Sequence, residues 1–272
     1  MAYKILLLLI INLLSVNISY ADIFPLREQF PEVKVITAED LHKNLDRYLV
    51  IDVRSRYEFD VVHINNARNV PLSNNSFISV LKRIRARNPN SKIVFYCNGI
   101  LCSKSYKASI KAQDHHITNV FTMDWGVLNW VKKYPHNTTL MGETPANLDH
   151  LISNETLSAH TLSPAEFVKK INDQAVVIDV RDTFQRTSKI LEKVTHHVPL
   201  GKANSFAKRQ AENGKTLLIY DEVGKQVRWL QYYLEHVKIK NYYFMEKGVE
   251  GYLGAELQGQ ISAVQVSTIS AS

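Results

Sequence analysis

The sequence contains few of the features that mark membrane or nucleic-acid-binding proteins. Beyond its first 21 residues, no stretch of the 272 is apolar enough to cross a membrane. It has no long run of lysine and arginine, and the densest cluster, Lys82–Arg87, is typical of the solvated face of a helix. The formal charge of +7 becomes +6 without Lys4, which suits small anions and is not enough to predict a nucleic-acid partner. It has only two cysteines, Cys97 and Cys102.

The N-terminal segment, residues 1–21, has the order of a secretory signal. One basic residue, Lys4, is followed by the nearly continuous apolar run Ile5–Leu14 and then by the small residues of Ser19–Ala21. This order predicts an exported protein, periplasmic or secreted, with no stable membrane span after the signal is removed. A retained N-terminal anchor is the alternative.

The rest of the chain contains an internal repeat with a spacing of about 125 residues. Each copy has a helix-capping sequence, an aliphatic run ending in Asp-x-Arg, a short Val-Pro segment and two further strand-like runs. The paired segments are Thr37–Leu41 with Ser163–Phe167, Tyr48–Arg54 with Ala175–Arg181, Asn69–Pro71 with His197–Pro199, Lys92–Cys97 with Lys215–Asp221, and Asn119–Met123 with Asn241–Met245.

These segments predict an α/β fold with parallel sheets. The runs that end at Asp52 and Asp179 are continuously aliphatic and β-branched, which indicates strands buried on both faces. Helical stretches separate the strands, as in a parallel sheet with crossover helices. We therefore predict domains over residues 22–140 and 161–256, a linker over 141–160 and a C-terminal tail over 257–272.

Cys97 is the residue best placed for chemistry. It follows a predicted buried strand and precedes a short loop and a helix, and ligands of open α/β sheets bind at this edge. Amides of the loop and of the helix N-terminus are expected to point at its sulfur and to lower its pKa. Gly99 allows the tight path that such a loop needs, and Lys104 and Lys107 are candidates for added positive charge.

The ordered motifs resemble those of rhodanese domains. The resemblance covers residues 36–135 well and residues 162–254 more weakly. It implies two tandem rhodanese-like domains, each a small parallel sheet flanked by helices. The residues that carry it are Ile51–Arg54, Tyr57–Phe59, His63-Ile64, Ala67–Pro71, Val94–Cys97 and Trp125–Trp130.

The resemblance implies sulfur transfer without a cofactor or a metal. Cys97 would take the outer sulfur of a small anionic donor such as thiosulfate as a persulfide, and would pass it to cyanide or a thiol. The implied substrate-binding loop comprises Asn98, Gly99, Ile100, Leu101, Cys102 and Ser103. In the second copy Asp221 stands where Cys97 does, and a carboxylate cannot hold sulfane sulfur. We therefore expect the second domain to be inert.

Several interpretations of the site remain open. The loop lacks the arginine or lysine that many rhodaneses have, which argues against efficient use of thiosulfate. Its fifth residue, Cys102, is expected to be structural, to form a disulfide with Cys97, or to resolve a persulfide. Asp52, Arg54 and Glu58 are expected to be scaffold, with Arg54 paired to Glu58.

The alternative functions are a thiol–disulfide or redox-sensing protein that uses both cysteines, and a non-catalytic binding module. A phosphatase of the related cell-cycle type is disfavoured, because its loop needs an arginine six positions after the cysteine and Ser103 is there. The sequence indicates no particular protein partner.

Overall fold

The computed structural model describes residues 24–192 and 194–261. The predicted signal, residues 1–21, lies outside this part of the chain, as do residues 262–272 of the predicted tail. Two parallel sheets with helices on their faces confirm the α/β class. Within the described ranges, no helix has the length and apolar character needed to cross a bilayer.

The first half is built around a four-stranded sheet. Its helices are α1 (Leu26–Gln29), α2 (Ala38–Lys43), α3 (Arg56–Val61), α4 (Phe77–Arg87), α5 (Lys104–Asp114) and α6 (Val127–Lys133). Its strands are β1 (Leu49–Asp52), β2 (Val62–Ile64), β3 (Arg68–Asn69), β4 (Ile93–Tyr96), β5 (Val120–Met123) and β6 (Thr138–Leu140). Strands β2 and β6 form a separate antiparallel pair. Short 3₁₀ turns occupy Leu45–Arg47 and Pro135–Asn137.

The second half has a five-stranded sheet. Its helices are α7 (Asn154–Ala159), α8 (Pro164–Lys169), α9 (Leu200–Glu212), α10 (Val227–His236) and α11 (Gly248–Leu257). Its strands are β7 (Thr161–Leu162), β8 (Ala175–Asp179), β9 (Thr195–His197), β10 (Thr216–Tyr220) and β11 (Tyr242–Met245). Further 3₁₀ turns occupy Leu148–His150 and Thr183–Gln185, so the segment predicted as a linker, residues 141–160, contains a 3₁₀ turn and α7.

The two sheets share one topology. The first has the order β3-β1-β4-β5, and Val35 adds a parallel bridge to Thr122 of β5 at its edge. The second has the order β9-β8-β10-β11-β7, so that β7 takes the place of Val35. Strands β4 and β10 are therefore equivalent and central. Every residue of β4 is fully buried, as continuous aliphatic runs predict.

Helix capping explains where the helices next to the main strands begin. The hydroxyl of Ser55 accepts the Glu58 amide while the Glu58 carboxylate accepts the Ser55 amide, which forms a capping box at the start of α3. Ser163 and Glu166 form the same box at α8. Both boxes satisfy amides that would otherwise have no partner in the first turn of the helix.

The halves pack through α3 of the first and α10 of the second. Trp229 and Tyr232 of α10 belong to the hydrophobic cluster that lies on the α6 face of the first sheet. The Tyr57 hydroxyl donates to the Asn204 side chain at 2.5 Å across the same boundary. Residues of the second half thus form part of the hydrophobic core of the first half.

Candidate functional site

Cys97 lies directly after the central strand β4. Because β4 is flanked by the parallel strands β1 and β5, the residue lies at the carboxyl edge of the sheet, between two neighbouring strand ends. Its side chain is 1 % exposed. The loop 98–103 then leads to α5.

The loop turns back over Cys97. The amide of Cys102 donates to the Gly99 carbonyl at 2.9 Å, and the Cys97 thiol donates to the Cys102 carbonyl at 3.0 Å. The Ser105 hydroxyl lies 3.7 Å from the same sulfur, which also accepts the Ser105 amide. The carbonyl of Cys102 therefore closes the site over the Cys97 sulfur.

The surroundings of the two thiols differ from the expectation from the sequence, because backbone amides act on both sulfurs and not on Cys97 alone. The Asn98 and Lys104 backbones and the Lys104 ammonium lower the pKa of Cys102, whereas the Ser105 backbone acts on Cys97. Cys102 is also partly exposed, whereas Cys97 is buried.

The two thiols therefore differ in acidity. The neighbouring Cys97 side chain, together with the Asn98 and Lys104 amides, lowers the pKa of Cys102 to about 6. Burial raises the pKa of Cys97 well above its usual value, and the neighbouring Cys102 raises it further. Around neutral pH the first proton lost by the pair leaves its charge on the partly exposed sulfur of Cys102.

A chain of polar side chains holds the ends of the loop. Arg54 pairs with Asp52, with 2.5 Å between Nη2 and Oδ2, and its Nη1 donates to the Asn98 side chain at 3.0 Å. Asn98 in turn donates to Glu58 at 2.9 Å, and the Lys104 ammonium lies 3.9 Å from Glu58. Asp52 is thus the direct partner of Arg54 in place of the expected Glu58, which anchors the loop instead.

Gly126, which the sequence does not mark as a site residue, lets α6 pack against the loop. Gly126 has φ +74°, and a Cβ there would lie 2.3 Å from the Gly99 backbone. The next two amides of α6 donate to the carbonyls of Cys97 and Asn98, at 2.9 and 3.2 Å. The Trp125-Gly126 pair was the sequence signal for this contact.

The remaining predicted residues lie on the loop and on the first turn of α5. Ile100 and Ser103 are partly buried, whereas Leu101 is 75 % exposed at the tip of the loop. Lys104 and Lys107 are exposed on the first turn of α5. Over residues 24–192 and 194–261, no three His, Cys, Asp or Glu side chains are grouped to bind a metal ion.

The second half repeats this arrangement around a carboxylate. Asp221 accepts the backbone amides of Val223, Gly224, Gln226 and Val227. Arg181 pairs with Asp179 and reaches the residue after Asp221, as Arg54 reaches the residue after Cys97. The amide cradle predicted for the first loop is therefore present in the second, where the side chain of Asp221 fills it.

The difference in acidity predicts how the thiols react with iodoacetamide. Because only the thiolate attacks, Cys102 should be alkylated with a half-maximal rate near pH 6, and the rate should fall below that pH. Cys97 should react only at much higher pH. Mass spectrometry after short exposures at a series of pH values measures both rates. In Cys97→Ala the neighbouring thiol is absent, so the Cys102 midpoint should move to higher pH, and an unchanged midpoint would contradict this account.

Comparison with known proteins supports the resemblance. A model of the rhodanese-like domain family matches residues 37–133. A tRNA uridine(34) hydroxylase of Bdellovibrio bacteriovorus is 32 % identical over 93 residues, which are 33 % of this chain and 25 % of that protein. This chain thus spans about a quarter of that relative's length.

Solved structures give similarities of the same kind. The thiosulfate sulfurtransferase of Pseudomonas aeruginosa aligns with 83 % of this chain and 45 % of its own, at 16 % identity and a TM-score of 0.36. A human single-domain sulfurtransferase aligns with 37 % of this chain and 97 % of its own, at 23 % identity and a TM-score of 0.31. The family match and the observed topology together show that residues 37–133 are a rhodanese-like domain, whose strand order the second half of the chain repeats.

Proposed function

We propose that this protein is a sulfurtransferase that moves sulfane sulfur from a donor such as thiosulfate to cyanide or a thiol through a Cys97 persulfide. The observation that carries the proposal is the place of Cys97 at the end of the central strand of a rhodanese-like domain. The test is sulfite release from thiosulfate with cyanide as acceptor, compared between the wild type and Cys97→Ser.

The reaction proceeds in two displacements. When the loop is open, Cys97 loses its proton to solvent, and its thiolate attacks the outer sulfur of thiosulfate. The S–S bond breaks, and sulfite leaves with the bonding electron pair. A thiophile then attacks the outer sulfur of the persulfide and regenerates the Cys97 thiolate. Since the sulfur is 1 % exposed, the loop 98–102 must open for the donor to reach it. The exposed Lys104 and Lys107 supply positive charge for an anionic donor.

A second candidate function is thiol–disulfide or redox-sensing chemistry that uses both Cys97 and Cys102. It is favoured by the fold of the loop, which brings the Cys102 carbonyl to 3.0 Å from the Cys97 sulfur and makes Cys102 the more acidic thiol. Both cysteines are free thiols in the structure. Export, which we propose from residues 1–21, would place this pair in an oxidising compartment.

Sulfur transfer should then depend on a reductant. Closing the disulfide consumes the Cys97 thiolate, so wild-type protein kept under oxidising conditions should gain at least about tenfold in activity when a thiol reductant is added. Cys102→Ser cannot close the bond and should be active with or without the reductant. The assay is sulfite release after matched oxidising and reducing incubations. Equal wild-type activity in both would count against a redox role.

The hydroxylase relatives do not change this proposal. The hydroxylase activity belongs to whole proteins of which this chain spans about a quarter, and the segment shared with them is similar in length to the rhodanese-like domain. We propose no nucleic-acid partner, because the basic residues include no long run along the chain.

A further inference from the structure

The guanidinium of Arg54 is the central group of the polar chain that holds the reactive loop. Its side chain is 0 % exposed. Its N–H groups donate to the Asp52 carboxylate, to the Val62 carbonyl at 2.6 Å and to the Asn98 side chain at 3.0 Å. The in-plane directions of the group are therefore filled by partners from the first half, which leaves its two faces for other contacts.

Aromatic rings from both halves pack on Arg54. The Tyr96 ring centre lies 5.7 Å from its Cζ, and the Trp229 ring centre lies 5.5 Å from the same atom. Tyr96 belongs to β4, but Trp229 belongs to α10 of the second half and is 4 % exposed. A buried ring over a guanidinium attracts the cation and keeps water from it.

The contacts continue from Trp229 to the thiols. Arg54 fixes the Asn98 side chain, and Asn98 begins the loop in which the next residue, Gly99, accepts the Cys102 amide at 2.9 Å. A shift of the guanidinium would therefore move the loop that carries the more acidic thiol. Trp229 itself does not touch either cysteine, so its effect passes through Arg54.

The equivalent arginine of the second half has a different environment. Arg181 pairs with Glu222 at 2.7 Å, and within the described part of the chain the ring over it is that of Tyr220, at 5.8 Å. The second half thus holds its arginine with an extra carboxylate, whereas the first half holds Arg54 with a ring from its neighbour. The half that carries Cys97 is therefore the one whose arginine contacts a ring from the other half, whereas the half that carries Asp221 holds its arginine with its own residues.

We propose that Trp229 is a positioning residue, through which the cysteine-free second half holds the Arg54–Asn98 contact and thereby the reactive loop of the first half. The expected effect on sulfur transfer rests on the function proposed above. The expected effect on the pKa of Cys102, which is the main measurement, does not depend on that function.

The test compares Trp229→Leu, which keeps apolar bulk but has no ring, with Trp229→Phe, which keeps a ring. A matched control is Tyr252→Leu, because Tyr252 is also 4 % exposed but lies in the core on the far face of the second sheet. The measurements are the pH profile of Cys102 alkylation by iodoacetamide, kcat/KM for sulfite release, and thermal unfolding of each full-length variant.

Trp229→Leu should move the alkylation midpoint up by about one pH unit and lower kcat/KM by about tenfold, whereas Trp229→Phe should recover most of both. Tyr252→Leu should lower the unfolding temperature without moving the midpoint. The proposal is overturned if folded Trp229→Leu keeps the wild-type profile, or if Tyr252→Leu shifts the profile equally. A shifted profile in a protein without sulfurtransferase activity would support the positioning role and count against the proposed function.

Discussion

Replacing Cys97 with serine should reduce sulfite release from thiosulfate by at least about a thousandfold. A serine hydroxyl cannot form the persulfide, and no other route in the proposed mechanism carries the sulfur. Serine is close in size to cysteine and is expected to fit the buried site beside Ser105, so the fold should survive. Steady-state assays with cyanide as acceptor measure the loss, and mass spectrometry should find one added sulfur on Cys97 of the wild type.

Ser105→Ala is the matched control. Its hydroxyl lies 3.7 Å from the Cys97 sulfur in the same buried site, but it is not a nucleophile in the proposed reaction. We expect its activity to fall by less than about tenfold. Wild-type activity in Cys97→Ser, or sulfur found on Cys102 alone, would contradict the assignment of the sulfur carrier.

Replacing Asp221 with alanine should destabilise the protein by about 3 kcal/mol or more. The carboxylate is fully buried and accepts the amides of Val223, Gly224, Gln226 and Val227, which would lose their partner in one step. Asp221 does not touch the sulfur in the proposed reaction. It holds the amides of Gln226 and Val227 at the start of α10, which carries Trp229, so sulfur transfer per folded molecule should fall by no more than the loss of about tenfold expected for Trp229→Leu. Chemical denaturation gives the free energy of unfolding, and the sulfite assay gives the turnover.

Two further variants serve as comparisons for Asp221→Ala. Asp221→Asn keeps one acceptor oxygen and should lose less stability than the alanine variant. Ser153→Ala removes only the exposed cap of α7 in the same half and should cost about 1 kcal/mol. A loss of turnover in fully folded Asp221→Ala well beyond that of Trp229→Leu would show that Asp221 has a chemical role, which the proposed function excludes.

The fold was predictable because its signals are local. The continuous aliphatic runs that end at Asp52 and Asp179 predicted central strands, and these strands are buried on both faces as expected. The Ser163–Glu166 pair predicted a helix start, and the structure has a capping box there. Each of these patterns depends on residues within a few positions of one another.

The environment of the thiols was predicted less well. The sequence correctly indicated that Cys97 ends a strand and that a helix follows, but an amide cradle around its sulfur was expected from the helix N-terminus alone. In the structure the loop turns back, Cys97 is buried, and the pKa of Cys102 is the one that is lowered. Gly126 packs against Gly99 of this loop, a contact between residues 27 positions apart that short-range patterns do not indicate.

The sequence by itself determined the repeat, the parallel sheets, the position of Cys97 at a strand end and the absence of a second cysteine site, because each follows from residue type and short-range order. Only the tertiary structure decided that Arg54 pairs with Asp52, that Glu58 anchors Asn98, and that the ring over the guanidinium comes from Trp229. Those contacts join residues up to 175 positions apart, from Arg54 to Trp229. The physical reason is that many partners were available to each charged side chain, and packing of the two halves selected one.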